Sequence, residues 1–266
     1  MDKSPTRPVA LTIAGSDSGG GAGVQADLKT FAALGVHGTS VLTCVTAQNP
    51  REVRAIAACR PALVRAQLEA LFAELPPRAA KTGMLFGRAI IREVAAFWRA
   101  DQRPPLVVDP VMVASSGARL LQPAAVRALM DELLPQAAVV TPNLDEAEIL
   151  TGLSLRAVED LRTAARAIHA RWGCAALVKG GHLRGLREAV DVFFDGRSEW
   201  LLRAPRVTGI ATHGTGCTYS AALTAGLARG LGLRAAVARA KELLTRALVR
   251  SYRAAGHDVL NPFAHA

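Results

Sequence analysis

Lysine is scarce in this chain of 266 residues: Lys3, Lys29, Lys81, Lys179 and Lys241 are all it holds, against a formal net charge of +10. The positive charge is therefore carried by arginine, spread singly over stretches such as RALMDELL and RAVEDLRTAARAIHAR. There is no compact basic tract, and aromatic residues supply only 5% of the chain. A nucleic-acid interface needs clustered cations and stacking rings, so no nucleic-acid partner is expected; a solvated arginine-rich surface is the plainer reading, with a small anionic substrate second. Four cysteines, Cys44, Cys59, Cys174 and Cys217, form no CxxC pair, which excludes a zinc-ligand pattern and a disulfide framework. No segment approaches the roughly 20 apolar residues of a membrane span. The opening MDKSPTRP is polar, and ALTIAG after it is too short for a signal-peptide core. The expectation is a cytoplasmic protein with no membrane partner.

What is present is apolar and regularly spaced. Half of the residues are hydrophobic and 20% are charged, the balance of a chain that buries a large core. Short apolar runs (VALTIAG, TSVLTCVTA, AAKTGM, PLVVDPV, AAVVTPN and CAALVKGG) alternate with amphipathic segments such as VQADLKTFAALG, PALVRAQLEALFAEL, FGRAIIREVAAFWRA, PAAVRALMDELLP and SLRAVEDLRTAARAIHARW. This βα order predicts an α/β fold with a mostly parallel central sheet and helices on both faces. AVDVFFDGRSEWLLRA, with Asp195-Gly196 between two alternating runs, predicts an antiparallel hairpin at one edge. One domain is expected over residues 9–266, after a disordered or extended tail over residues 1–8.

Nearly every predicted strand ends in polar chemistry: GSDSGGGAG, TAQNP, TGM, DPVM, TPNLDE and KGGH. In an open α/β sheet the ligand sits outside the carboxyl ends of the strands, so six such endings predict one concave site. GSDSGGGAGVQADLK matches neither GxxxxGK[ST] nor GxGxxG. It reads either as a turn with positive-φ glycines or as backbone lying close to a flat ligand, with Asp27 one turn into the helix as an acceptor. Gln48 and Asn49 both donate and accept, which suits a heteroaromatic edge; a capped turn before Pro50 accounts for them equally. Met84 is a pocket wall or core packing. Asn143 and Glu146 stand at i, i+3, so a magnesium ion with its water shell could use the carboxylate, although a capped helix start is the reading that propensity alone favours. Asp109, at a strand end before proline, is a candidate second ion ligand or water-positioning group. Lys179, in ALVKGGH, emerges at a strand tip where a nucleotide phosphate could meet it, unless it is a snorkelling lysine. His182 and His213 read as hydrogen-bonded turn residues.

The most distinctive stretch is HGTGCTYSAAL. Gly214, Thr215 and Gly216 would present successive backbone N–H groups at a helix start, an anion nest reinforced by the helix dipole. Cys217 at the same terminus is expected to have its pKa lowered from about 8.5, fit to take a proton from an attacking alcohol or to act as a nucleophile. A small residue filling a tight helix start is the alternative.

Taken together, ALTIAGSDSGGGAGVQADLKTFAALG, VTAQN, KTGML, VVDPVM, TPNLDEA, VKGGH and HGTGCT resemble, in order and over essentially the whole chain, the ribokinase-like superfamily and within it the hydroxymethylpyrimidine and phosphomethylpyrimidine kinases of thiamine synthesis. The resemblance implies an ATP- and magnesium-dependent enzyme that phosphorylates 4-amino-5-hydroxymethyl-2-methylpyrimidine and then its monophosphate. By position it implies that Asp27, Gln48 and Met84 contact the pyrimidine, that Gly15 and Val111 line its pocket, and that Gly214 to Cys217 form the anion hole. It further implies that Asn143 and Glu146 organise magnesium, that Lys179 approaches the nucleotide, and that the protein is a homodimer; Asp109 stands beside them as a candidate metal ligand, and Thr215 and Lys241 as candidate nucleotide contacts. Sugar kinases of the superfamily usually carry an aspartate base where this chain has Cys217. Pyridoxal kinase, on the same fold, is the alternative activity. Two departures stand out: SDSGGG lacks the proline that follows the aspartate in many relatives, and Tyr219 is bulkier than the usual neighbour of the cysteine.

Overall fold

A computed structural model describes residues 6–112, 121–210 and 213–264. Residues 1–5 of the expected tail, and Thr212, lie outside the described residues. The chain opens with β1 (Val9–Asp17), α1 (Gly23–Ala33), β2 (His37–Gln48) and β3 (Val53–Ala58). Then α2 (Pro61–Glu74), β4 (Ala79–Thr82), α3 (Arg88–Trp98), β5 (Leu106–Val108) and α4 (Pro123–Ala128) lead to β6 (Val139–Val140), α5 (Leu144–Thr151), α6 (Val158–Trp172) and β7 (Ala175–Val178). The hairpin β8 (Glu188–Phe194) and β9 (Glu199–Pro205) precedes α7 (Thr215–Ala228) and α8 (Leu233–Val249), and the small strands β10 (Tyr252–Ala254) and β11 (His257–Val259) pair with each other.

Nine strands form one sheet in the order β3-β2-β1-β4-β5-β6-β7-β8-β9. The six from β2 to β7 run parallel, as the βα alternation predicts. The Asp195-Gly196 hairpin supplies the antiparallel β8 and β9; Gly196 sits at φ +88° and the Asp195 carboxylate accepts from the Arg197 and Ser198 N–H groups. The other edge is also antiparallel, because β3 folds back on β2, which the apolar pattern did not predict. PAAVRALMDELLP is not one α-helix either: α4 passes into a π turn over Leu129–Leu133 and a 3₁₀ turn over Leu134–Gln136, where Pro135 has no N–H to continue the ladder.

Side-chain alternation along the strands assigns the two faces. In β5, Leu106 and Val108 join the core with Val64, Leu68, Ile91, Val94, Ala164 and Ile168 of α2, α3 and α6, whereas Val107 faces Tyr219, Leu223 and Val237 of α7 and α8. α7 is buried for most of its circumference, because it lies beneath α1 and α8 on the sheet. Its small residues permit that: a Cβ on Gly226 would stand 3.0 Å from the Ala236 Cβ of α8.

The sheet order reverses between β1 and β4, since β2 and β3 continue on one side and every later strand on the other. The register of β1 on β2 slips between Ala14 and Ser16, so β1 bends at Gly15 as it reaches this point.

Candidate active site

A cavity of about 640 Å³ lies along the carboxyl ends of the parallel strands. Its wall includes Gly15, Asp27, Gln48, Met84, Asp109, Val111, Asn143, Glu146, Lys179, Gly214, Thr215, Gly216, Cys217 and Lys241, so residues more than 200 positions apart in the chain are brought together. Lys81, Asp17, Asp191 and Arg206 line the same cavity, and sequence reasoning did not select them.

At one end the chemistry is that of a closely packed acceptor pocket. Gly15 has room for no side chain, because a Cβ there would meet the Cys44 Sγ at 2.7 Å. Thr43 holds the carbonyl of Met84 at 2.6 Å. The Gln48 backbone is tied to Ser18 in both directions, at 2.7 and 2.8 Å, while its side-chain oxygen accepts from Thr46 at 3.4 Å. Asn49 caps the turn at Arg51 and Glu52 instead. Asp27 is fully buried, accepting from the Thr12 hydroxyl at 2.6 Å and from the Lys81 ammonium at 2.8 Å. Burial pulls Lys81 down, but the Asp27 carboxylate outweighs it and holds the ammonium above its ordinary pKa.

At the other end a second pair faces the cavity. The Lys179 ammonium donates to Asp109 at 3.1 Å, and Asp109 also accepts from Thr141 at 3.3 Å and Ser220 at 3.1 Å. Glu146 completes a capping box with Asn143, each side chain accepting from the other's backbone N–H at 2.9 Å, and it accepts from the Met112 N–H at 3.1 Å. Burial, with Asp109 adding to it and Lys179 opposing it, pushes the Glu146 carboxyl up to about 7. The capped helix start favoured by propensity is thus what Asn143 and Glu146 form. Two carboxyl groups against one ammonium leave this end short of positive charge once Glu146 ionises, and both are already engaged by protein donors. Such a set fits a cation held through its water shell rather than in a direct cage, and among the described residues no group of three or more His, Cys, Asp or Glu side chains forms one. Val111, between Asp109 and the Met112 N–H, sits at φ +42°, a strained conformation for a β-branched residue.

The anion nest lies across the cavity. Gly214, at φ +82°, is the N-cap of α7, and its carbonyl accepts from the Thr218 N–H at 2.9 Å. A Cβ on Gly214 would collide with the Gly21 carbonyl oxygen, and one on Gly216 would stand 3.3 Å from the Lys179 Nζ. The glycine-rich loop, the nest and the Lys179–Asp109 pair therefore touch. Cys217 is half-buried here. Its thiol does not have the lowered pKa expected of a helix start: desolvation pushes it up to about 11, Asp27 and Asp109 add to the rise, and Lys81 and the Gly23 backbone N–H only partly oppose it. The positive end of α7 is outweighed mainly because the sulfur is desolvated, with two buried carboxylates adding to the effect.

Lys241 is not a free cation. Its ammonium donates to Asp191 at 2.7 Å and to the Ala189 carbonyl at 3.1 Å, while the other Asp191 oxygen accepts from the Gly180 N–H at 3.0 Å. The Tyr219 hydroxyl faces Asp191 from α7 without a well-formed hydrogen bond among the described residues, and burial, with that carboxylate beside it, pushes its pKa well above the ordinary value.

Comparison with known proteins adds to this geometry. A family model described as "Phosphomethylpyrimidine kinase" matches residues 17–261. A hydroxymethylpyrimidine/phosphomethylpyrimidine kinase of Rhizobium meliloti is 52% identical over 241 residues, 90% of either chain. The ADP complex of Bacillus subtilis pyridoxal kinase superposes with a TM-score of 0.90 at 38% identity, covering 97% of this chain and 98% of that one. The phosphomethylpyrimidine kinase of Clostridium difficile 630 superposes at 0.81 with 40% identity, covering 90% and 98%.

Proposed function

This chain belongs to the phosphomethylpyrimidine kinase family, and from that premise we propose that it transfers phosphate from ATP to 4-amino-5-hydroxymethyl-2-methylpyrimidine and then to the resulting monophosphate, giving the diphosphate used for thiamine diphosphate. The observation that carries the reading is the cavity itself, in which the nest at the start of α7 and the amide and carboxylate wall of Gln48 and Asp27 share one space.

In the first transfer the hydroxymethyl oxygen attacks the γ-phosphorus, the new O–P bond forms as the bond to the bridging oxygen breaks, and ADP leaves. The alcohol proton passes to Cys217 in its thiolate form. The N–H groups of Gly214, Thr215 and Gly216 take the charge that develops on the transferred oxygens, and Lys179 meets the nucleotide phosphates. In the second transfer the acceptor is a phosphate oxygen already ionised near neutral pH, so no base is required. A thiol with a pKa near 11 is neutral at pH 7 and does not repel that anionic acceptor, as an aspartate would. Magnesium, when bound, offsets charge on the nucleotide phosphates; Asp109, Glu146 and Asn143 would hold it through water. Lys241 acts at the nucleotide end by fixing Asp191 and Gly180. The fold 9–266 works as one kinase domain in the cytoplasm. The exposed edge formed by Val45, Val53 and Ile56 supports pairing of two copies.

The test is to incubate the protein with ATP and magnesium and offer hydroxymethylpyrimidine, its monophosphate or pyridoxal separately, identifying products by mass spectrometry. Pyrimidine diphosphate is the expected product. Phosphorylation of pyridoxal alone would overturn the assignment and move the protein to vitamin B6 salvage.

A further inference from the structure

Asp17 is the most heavily engaged carboxylate of the site, yet no step above uses it. It lies at the end of β1, 4% exposed, and gathers the glycine-rich loop: the Gly19 N–H donates to Oδ1 at 2.8 Å, and the Gly21 and Ala22 N–H groups donate to Oδ2 at 3.1 and 2.8 Å. Its own N–H is held by Gln25 at 2.9 Å, and Gln25 is held in turn by Ser16 at 2.7 Å. The fourth group on this carboxylate comes from the far end of the chain. His213 Nε2 lies 3.3 Å from Oδ2, and since a carboxylate can only accept, the imidazole donates. Burial raises the Asp17 pKa, but the His213 hydrogen bond and the Ala22 and Gly19 N–H groups outweigh it, so the carboxyl stays below its ordinary value and ionised.

The residues gathered in this way touch the groups proposed to carry out the transfer. His213 is covalently next to Gly214. A Cβ on Gly21 would stand 2.8 Å from the His213 ring, one on Gly214 would collide with the Gly21 carbonyl, and the Gly23 N–H reaches the Cys217 sulfur. Three glycines thus leave no slack between the loop and the nest. Among the described residues, Asp17 and His213 form the tie between two side chains across this seam, and it joins positions separated by 196 residues.

We infer that Asp17 and His213 are positioning residues for phosphoryl transfer, fastening the glycine-rich loop against the start of α7 so that the nest N–H groups and the Cys217 sulfur keep a fixed position relative to the acceptor hydroxyl. The inference rests on the kinase reading above and extends it to residues with no role there. Neither side chain transfers a proton or bonds a reacting atom. Their effect falls on the transition state, since charge on the transferred oxygens is stabilised only by donors already in place, and a displacement of about 1 Å can cost about 10²-fold in rate.

The experiment compares wild type with Asp17→Asn, His213→Ala, His213→Gln and the double variant Asp17→Asn/His213→Ala. It measures kcat, both KM values, the melting temperature, and the affinity for ADP with and without aluminium fluoride. For His213→Ala the expected result is a kcat lower by about 10–10²-fold with both KM values nearly unchanged. ADP alone should bind as in wild type while the gain from aluminium fluoride shrinks by a similar factor. His213→Gln, which keeps a donor, should recover most of the loss, and the double variant should be little worse than Asp17→Asn alone, because that substitution already disturbs the His213 contact along with the loop N–H groups. The inference is overturned by raised KM with unchanged kcat, by a Gln variant no better than Ala, or by losses that multiply in the double variant. If Asp17→Asn fails to fold, the two His213 single variants decide, since that ring is partly exposed. If wild type does not phosphorylate the pyrimidine, the functional assignment fails, and the ADP and aluminium fluoride measurements still judge the positioning role.

Discussion

The Lys81–Asp27 pair and the Lys179–Asp109 pair line the same cavity, but they differ in what surrounds them. Lys81 and Asp27 are wholly buried, with one ammonium matched to one carboxylate and a threonine hydroxyl filling in. Lys179 is 14% exposed at its side chain, and its partner Asp109 shares the neighbourhood with Glu146. The first pair is closed and neutral. The second is open and gains an excess of negative charge as Glu146 ionises around neutral pH, which makes it the end that can respond to an arriving cation or phosphate. Buried lysines in one protein can therefore serve opposite purposes, and the charge count around each one, more than its depth, distinguishes them.

Removing one member of each pair should show the contrast most strongly. Lys81→Met leaves Asp27 as an unpaired buried charge, so it is expected to destabilise the fold by about 3–5 kcal/mol, read by chemical denaturation. Lys179→Met is expected to spare stability, because Asp109 keeps Thr141 and Ser220, and to lower kcat/KM for ATP by about 10²–10³-fold. Equal loss of stability in both variants would break the comparison. Cys217 lies between the two ends and sharpens it. Cys217→Ala should slow the first phosphorylation by about 10²–10⁴-fold and the second far less, and equal losses would remove the proton-acceptor role. Since thiolate is the active form and the thiol's pKa is about 11, the wild-type first step should accelerate about tenfold per pH unit from neutrality towards 10, while the second stays flat. The smallest effect is expected at Tyr219→Phe. The lost hydroxyl makes no well-formed hydrogen bond among the described residues, so stability should stay within about 1 kcal/mol of wild type or rise.

The carboxyl-end chemistry was legible in the sequence because each motif sits where a strand stops, and the strand rule then places all of them in one cavity. Asn143 and Glu146 could be read at their spacing as a capped helix start, which is the structure they adopt. The Lys81–Asp27 pair was not legible, since its partners are 54 positions apart and meet only when β4 lies beside β1. Asp17 was hidden for a related reason: an aspartate among glycines looks like a turn residue until the chain brings His213 to it. Strand β3 is exposed along its whole length, so no alternation of buried and exposed side chains marks it. The Cys217 pKa departs from the expectation because a helix start is a local feature, whereas the burial that raises it, and the carboxylates that add to it from α1 and from the residue after β5, come from the tertiary fold.

With Lys81, Lys179 and Lys241 each held in an ion pair, Lys29 is the exposed lysine among the described residues, and its ammonium donates to the Gly20 carbonyl at 2.9 Å. Amine-directed labelling of this arginine-rich protein would thus reach, besides Lys3, Lys29 on α1, whose ammonium rests on the glycine-rich loop. A fluorophore placed there by ordinary acylation, without any engineered cysteine, would report directly on how that loop moves during turnover.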